Sequence, residues 1–239
     1  MANSSTTESP WPTPPPVHFD SAWPRWAKFL VVLAFMFSAF LYDKPFEQWC
    51  AHHQIAIKSD VQLEMIMLMQ WGGWSSSILI ILTVALLDRY GRRKALAIAL
   101  GCLATVAVCY LLKDLFGRAR PWELGRDIYG FFGPAEGFHS SAYQSFPSSH
   151  TTGAFALSAG LAWFYPRARS LFYLLALQVA LQRLWRLDHY PSDAIAGALV
   201  AVTVVRSVLM WNWPGKLIAA LPLPWRRWLL AENREPTIS

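Results

Sequence analysis

Six stretches of this chain are apolar over nearly the length needed to cross a lipid bilayer, about 20 residues within a range of roughly 17–25. They are Trp26–Tyr42, Trp71–Leu87, Ala95–Leu112, Thr151–Tyr165, Ser170–Leu187 and Ala194–Trp213. The fourth is short alone and reaches full length if its helix begins near Ser148, with Pro147 just ahead of the first turn. Runs such as SSSILIILTVALL and AIAGALVAVTVV are apolar all round and lack the polar stripe of a surface helix. Composition agrees: 54% of the 239 residues are hydrophobic and only 15% are charged, against roughly 25% charged in an ordinary soluble domain. A disordered chain is excluded on the same grounds. A soluble helical bundle is the alternative that fits less well. The expected fold class is all-α, an integral membrane bundle of six transmembrane helices.

Charge sets the direction of such a bundle. The N-terminal segment, the turns at 88–94 and 166–169, and the C-terminal segment share one side, to which Arg206 snorkels. That side carries 13 basic and five acidic residues, net +8, while the opposite loops are net −2. The positive-inside rule makes the basic side cytoplasmic, with both termini there. Trp26, Trp71, Trp163, Trp185, Trp211 and Trp213 fall near span ends, as an aromatic belt would have them. Residues 1–24 read as a solvated Pro/Ser/Thr-rich tail without the features of a signal peptide. Residues 25–213 form the membrane domain. Residues 214–239 read as a basic cytoplasmic tail in which LPLPWRRWLL is suited to the membrane interface. Apart from RYGRRK at 89–94 there is no Lys/Arg block, so nucleic acid is not an expected partner. Three cysteines (Cys50, Cys102, Cys109) make no disulfide framework.

The ionisable residues on the opposite face are few and concentrated. Charged groups near membrane depth are costly and point to function. Lys113 and Arg120 close the third span, His150 opens the fourth, and Arg183, His189 and Asp193 bracket the turn between the fifth and sixth. The topology puts all of them on one membrane face. Lys113, Arg120 and Arg183 suit a highly charged anion such as phosphate, with arginine forks for paired oxygens. A helix starting near Ser148 adds free N–H groups and a dipole. His189 and Asp193 are four residues apart, so a helical turn would bring the carboxylate to one imidazole nitrogen and leave the other as nucleophile or base. His150 is then available to protonate a leaving oxygen. These are the parts of a phosphoryl-transfer site, and a Lys/Arg clamp can neutralise the phosphate oxygens without a metal.

The three segments resemble the signature of the type 2 phosphatidic acid phosphatase superfamily, K-x6-RP, then PSGH, then SR-x5-H-x3-D. Here they read KDLFGRARP, PSSH and QRLWRLDHYPSD, in order over residues 113–193. The resemblance implies that Lys113, Arg120 and Arg183 bind phosphate, helped by Ser148 and the amide of Ser149. It implies that His189 forms a phosphohistidine, with Asp193 as its partner and His150 as the acid for the leaving group. Two positions depart from the pattern. Ser149 stands where the family usually has Gly, which would be strained if that position needs a special backbone angle. Gln182 replaces the Ser before Arg183. Neither removes a charge-bearing or proton-carrying group.

Other polar residues carry plainer expectations. Arg118 and Arg186 lie outside the matched positions and are expected to bind headgroups or acids such as Asp114 and Asp188. Cys102 and Cys109 read as packing residues. His52, His53 and His139 lack companion ligands at metal spacing, so neither a metal nor another cofactor is expected. Glu64 and Gln70 suit an interfacial helix ahead of the second span. The aromatic segment 122–146 (Trp122, Tyr129, Phe131, Phe132, Phe138, Tyr143) is either a loop resting on the membrane or a lid around a lipid headgroup.

The expected activity is hydrolysis of a lipid phosphate or diphosphate on the extracytoplasmic face of a plasma (inner) membrane, with a phosphorylated lipid as substrate and membrane lipids as surroundings. Undecaprenyl diphosphate is the first expectation, on size and orientation. Phosphatidate, phosphatidylglycerol phosphate and a phosphorylated glycolipid such as lipid A remain open. So do a lipid phosphotransferase, a vanadate haloperoxidase and a non-catalytic lipid carrier. Oligomeric state is left open.

Overall fold

The computed structural model describes residues 24–53, 66–67, 69–121 and 128–233. Residues 1–23 of the expected tail at 1–24, residues 234–239 of the tail at 214–239, Glu64 and Trp122 lie outside them. The described secondary structure is helical apart from one isolated bridge between Arg118 and Phe131. In chain order the helices are α1 (Arg25–His53), α2 (Trp74–Leu87), α3 (Gly91–Phe116), α4 (Pro134–His139), α5 (Ser149–Phe164), α6 (Arg169–Trp185), α7 (Pro191–Met210), α8 (Trp213–Ala220) and α9 (Leu223–Leu230).

α5 is the hub, packed against α3, α6 and α7, with α2 on α3 and α1 on α7. Small residues make this possible. Ala154, Ala156, Ala159 and Gly160 let neighbouring backbones come close, and Ile98, Leu157 and Leu161 fill the space between α3 and α5. Gly72 lies so near α5 that a Cβ there would stand 2.3 Å from the Ala154 Cα; its φ of +79° also requires glycine. The outward surface is apolar. α2 has no buried residue, and its Leu86 and Leu87 are 73% and 81% exposed. Large exposed apolar surfaces mark contact with a membrane or a partner.

Two helices among the described residues, Gly91–Phe116 and Pro191–Met210, are long and apolar enough to cross a membrane. α2, α5 and α6 have 14, 16 and 17 residues, so at about 1.5 Å per residue each spans less than the bilayer core. α1 does not stop at Tyr42 but continues through Pro45 to His53. Trp71 is not a belt residue: its indole N–H donates to Ser158 Oγ at 2.9 Å and its ring stacks on Phe172.

The segment after Met210 folds back as α8 and α9. Arg92 donates to the Trp228 carbonyl at 3.0 Å and lies over that indole. The Asn233 amide donates to the Ala85, Leu86 and Asp88 carbonyls at the end of α2, at 2.8, 3.3 and 2.7 Å. Asp88 itself receives Lys94, Tyr165 and the Tyr90 N–H; burial works against its charge, but these donors hold the carboxyl below its ordinary range. Trp225 and Trp228 stay exposed.

Candidate active site

Three helix ends meet at one end of the bundle. α3 ends in Gly117, whose left-handed φ of 54° turns the chain; a Cβ there would lie 2.1 Å from the Gly133 carbonyl. Arg118, Ala119 and Arg120 then cross that end, hydrogen-bonded to Ser145, Gly130 and Ala142. Ser148 caps α5, and its N–H donates to the Asp193 carbonyl at 3.1 Å, tying the start of α5 to the start of α7. The helix expected near Ser148 begins at Ser149. Ser149 is not among the positive-φ residues, so the departure from Gly puts no strain on the backbone.

His189 and Asp193 do not share a helical turn, as their spacing suggested. Pro191 cannot donate and starts the helix, so His189 stays in the preceding loop. Asp193 sits at the third helical position, where its Oδ2 accepts the Tyr190 N–H at 2.9 Å, its half of a capping box. The same Oδ2 accepts the Ser145 hydroxyl at 2.6 Å and lies 3.6 Å from His189 Nδ1. Ser145 Oγ is 3.5 Å from that Nδ1. His189 Nε2 is buried and has no hydrogen-bond partner. Burial, which outweighs the Asp193 carboxylate, pushes the imidazole down to about 4, so it is neutral at physiological pH.

Around this pair stand the cations. Lys113 is 2% exposed and donates to the Gln144 carbonyl. Arg120 donates through Nε to the Ser141 carbonyl at 2.9 Å and through Nη1 to the Asp188 carbonyl at 3.4 Å. Arg183 is buried, with Nη2 3.0 Å from Asp188 Oδ2 and Nε unpartnered. Lys113 and Arg120 act electrostatically on His189. Exposed His150 lies within electrostatic reach of Arg183, Asp188, Lys113 and Arg120. Ser148 is buried and accepts a hydrogen bond from the Thr151 hydroxyl at 3.1 Å. All eight residues singled out in the sequence therefore gather at this end, although His150 and Ser149 make no side-chain bond to the others. Gln182 is buried with its Oε1 unpartnered.

Arg118 binds acids, one of the two expected alternatives, but not Asp114, which accepts the Gln144 amide instead. It is fully buried: Nη1 lies 2.5 Å from Asp193 Oδ1 and 2.6 Å from Ser192 Oγ, and Nη2 lies 2.6 Å from Asp43 Oδ2. The rings of Tyr190, Phe131, Phe40 and Tyr129 surround it at 4.4–5.7 Å. Burial opposes its charge, but Asp193 and Asp43 hold it protonated above the ordinary arginine range. The sequence reading missed Asp43 and Ser145. Asp43 carried a signal, a lone acid at the end of an apolar run; Ser145 carried none. Arg186 pairs with Asp188 at 3.2 Å as expected.

The aromatic segment is partly structural. Phe131 packs on Phe40, Phe116 and Phe146, forming one wall around Arg118, while Phe132 meets Tyr143 and Phe138 is exposed. Cys109 is buried, and Cys102 packs against the Ile98 and Ala156 clusters. No group of three His, Cys, Asp or Glu residues suited to a metal occurs among the described residues.

Curated proteins match part of this chain. Lipid A 1-phosphatase of Rhizobium johnstonii is 42% identical over 117 residues, covering 44% of this chain and 47% of its own. The putative undecaprenyl-diphosphatase YbjG of Escherichia coli is 27% identical over 140 residues, covering 57% and 66%. Undecaprenyl-diphosphatase BcrC of Bacillus subtilis is 26% identical over 113 residues, covering 47% and 55%. The chain thus spans about half the length of the first curated relatives it matches. No solved structure matches it. The PAP2 superfamily pattern covers residues 94–217, more than half of the chain and every one of the eight residues gathered at the site. The chain belongs to the PAP2 superfamily.

Proposed function

We propose that the protein hydrolyses a lipid phosphate or diphosphate through a phosphohistidine at His189. The observation that carries this reading is the buried, unpartnered Nε2 of a neutral His189, whose Nδ1 faces Asp193 and which lies in the field of Lys113 and Arg120. Nε2 attacks phosphorus, and the bond from phosphorus to the lipid-side oxygen breaks as His150 protonates that oxygen. Lys113, Arg120 and Arg183 hold the remaining phosphoryl oxygens, aided by Ser148 and the Ser149 amide at the start of α5. Water, deprotonated by His150, then cleaves the P–N bond and frees inorganic phosphate. The nucleophile, clamp and acid need no cofactor. The chain is read as a multi-pass protein of the inner membrane with six transmembrane helices, cytoplasmic termini and an extracytoplasmic site.

The first substrate reading is undecaprenyl diphosphate, in keeping with two relatives named as undecaprenyl-diphosphatases. A phosphorylated glycolipid is the second, favoured by 42% identity to a lipid A 1-phosphatase. The test measures phosphate release from both lipids and phosphatidate, in detergent with EDTA, by wild type and His189→Ala. Release by wild type alone is expected. Equal release by the variant overturns the role of His189, and release that needs an added lipid acceptor makes the protein a phosphotransferase.

A further inference from the structure

Two carboxylates share one buried guanidinium behind His189, and they come from opposite ends of the sequence. Asp43 is on α1, Arg118 follows α3, and Asp193 opens α7; all three side chains are fully buried. Each terminal nitrogen of Arg118 is committed to a different carboxylate. The division of labour on Asp193 is sharp. Its Oδ1 is taken by Arg118, and its Oδ2 serves Ser145, the Tyr190 N–H and the His189 side. Asp43 also grips the first turn of α7, accepting the Ser192 N–H at 3.0 Å and its hydroxyl at 2.5 Å.

Chemistry at His189 depends on which oxygen of Asp193 is presented. Attack through Nε2 requires the proton on Nδ1, and an acceptor there fixes that tautomer. Once phosphorus is bound, the ring carries positive charge, which a facing carboxylate stabilises. Bonded to Asp193 alone, Arg118 would bury a second arm without a charged acceptor; Asp43 supplies that acceptor. We infer that Asp43 and Arg118 are positioning residues for His189, Asp43 holding Arg118 and Arg118 holding Asp193 with Oδ2 turned to the imidazole. The inference rests on the phosphohistidine reading, but it assigns to α1 a part in the chemistry.

The test compares Arg118→Met, Arg118→Lys and Asp43→Asn with wild type, His189→Ala and Arg120→Ala in detergent. It reads kcat, KM, the inhibition constant for inorganic phosphate, and the thermal transition. Partners one layer behind a reacting group are typically worth roughly 10- to 100-fold. Arg118→Met is expected to lose about 100-fold in kcat and Asp43→Asn about tenfold. Arg118→Lys, which restores charge but not the fork, should fall between wild type and Arg118→Met. KM and phosphate inhibition stay within about twofold of wild type, whereas Arg120→Ala weakens both. Folded variants with wild-type kcat overturn the inference and leave the His189 mechanism standing, provided His189→Ala is inactive. A rise in KM matching that of Arg120→Ala makes Arg118 a substrate ligand and also overturns it. Loss of the thermal transition in all three variants assigns the network to folding alone. An active His189→Ala removes the mechanism and the inference together.

Discussion

Gly197→Ala would drive a wedge between the two helices that carry opposite halves of the site. Gly197 lies one turn into α7 from Asp193, where an added Cβ would stand 2.8 Å from Thr152 Oγ1 and 2.9 Å from the Ser148 carbonyl oxygen. Ordinary carbon-to-oxygen contacts are about 3.3–3.6 Å, so α5 and α7 must part by about half an ångström. Neither neighbour gives easily: one is backbone, and the other is a buried hydroxyl that donates to that same carbonyl at 2.7 Å. The displacement falls beside the Ser148 N–H to Asp193 bond, so the Ser149 amide moves away from His189 and Asp193. Overpacking of this kind costs about 1–3 kcal/mol. A misplacement of about 1 Å can cost about 100-fold in rate, which puts half that shift near tenfold. Phosphate release at saturating lipid and thermal unfolding in detergent measure the two effects. Gly160→Ala is the control, because its Cβ meets only the Ile98 side chain, at 3.1 Å, far from the chemistry. It should lower stability without lowering kcat. Wild-type kcat in Gly197→Ala, or an equal fall in both variants, refutes the reasoning.

Protonation offers a second measurement. Folded His189 binds its proton more weakly than the unfolded residue, so wild type should lose stability as pH falls from about 6.5 toward about 4. His189→Gln should lack this component, and parallel unfolding curves for the two proteins across pH 4–8 would contradict it. At the other end of the molecule, Asn233→Ala removes the side-chain bonds that seal α2. A cost of about 1–2 kcal/mol, from roughly 0.5–1.5 per bond, is expected in thermal unfolding, with kcat unchanged.

The sequence is most legible where one physical rule acts alone. Apolar runs located the helical cores of α3 and α7, and the Pro147-Ser148 pair marked the start of α5 within one residue. Charges that an apolar chain would otherwise avoid marked Lys113, Arg120, Arg183, His189 and Asp193, and the fold gathers them. The reading failed where tertiary partners decide. Spacing alone could not tell a helical turn from the capping fold that Pro191 imposes on His189 and Asp193. Spacing separated Arg120 from Arg118 in GRARP but could not name Arg118's partners: Arg120 reaches the Asp188 carbonyl, while Arg118 turns inward to Asp43, a residue 75 positions away. Trp71 looked like an interfacial anchor because nothing local announces Ser158 as its acceptor.

The buried arginine also bears on what counts as the smallest working unit. The superfamily pattern begins at residue 94 and contains every residue carried over from the signature motifs. A fragment cut at that limit would keep Arg118 and Asp193 but discard Asp43 with the whole of α1. Stripping one partner from a buried charge cluster costs about 3–5 kcal/mol, a large share of the 5–15 kcal/mol that holds a typical protein together. Swapping such a module between relatives therefore calls for carrying the first helix with it, or for replacing the acid that this helix brings.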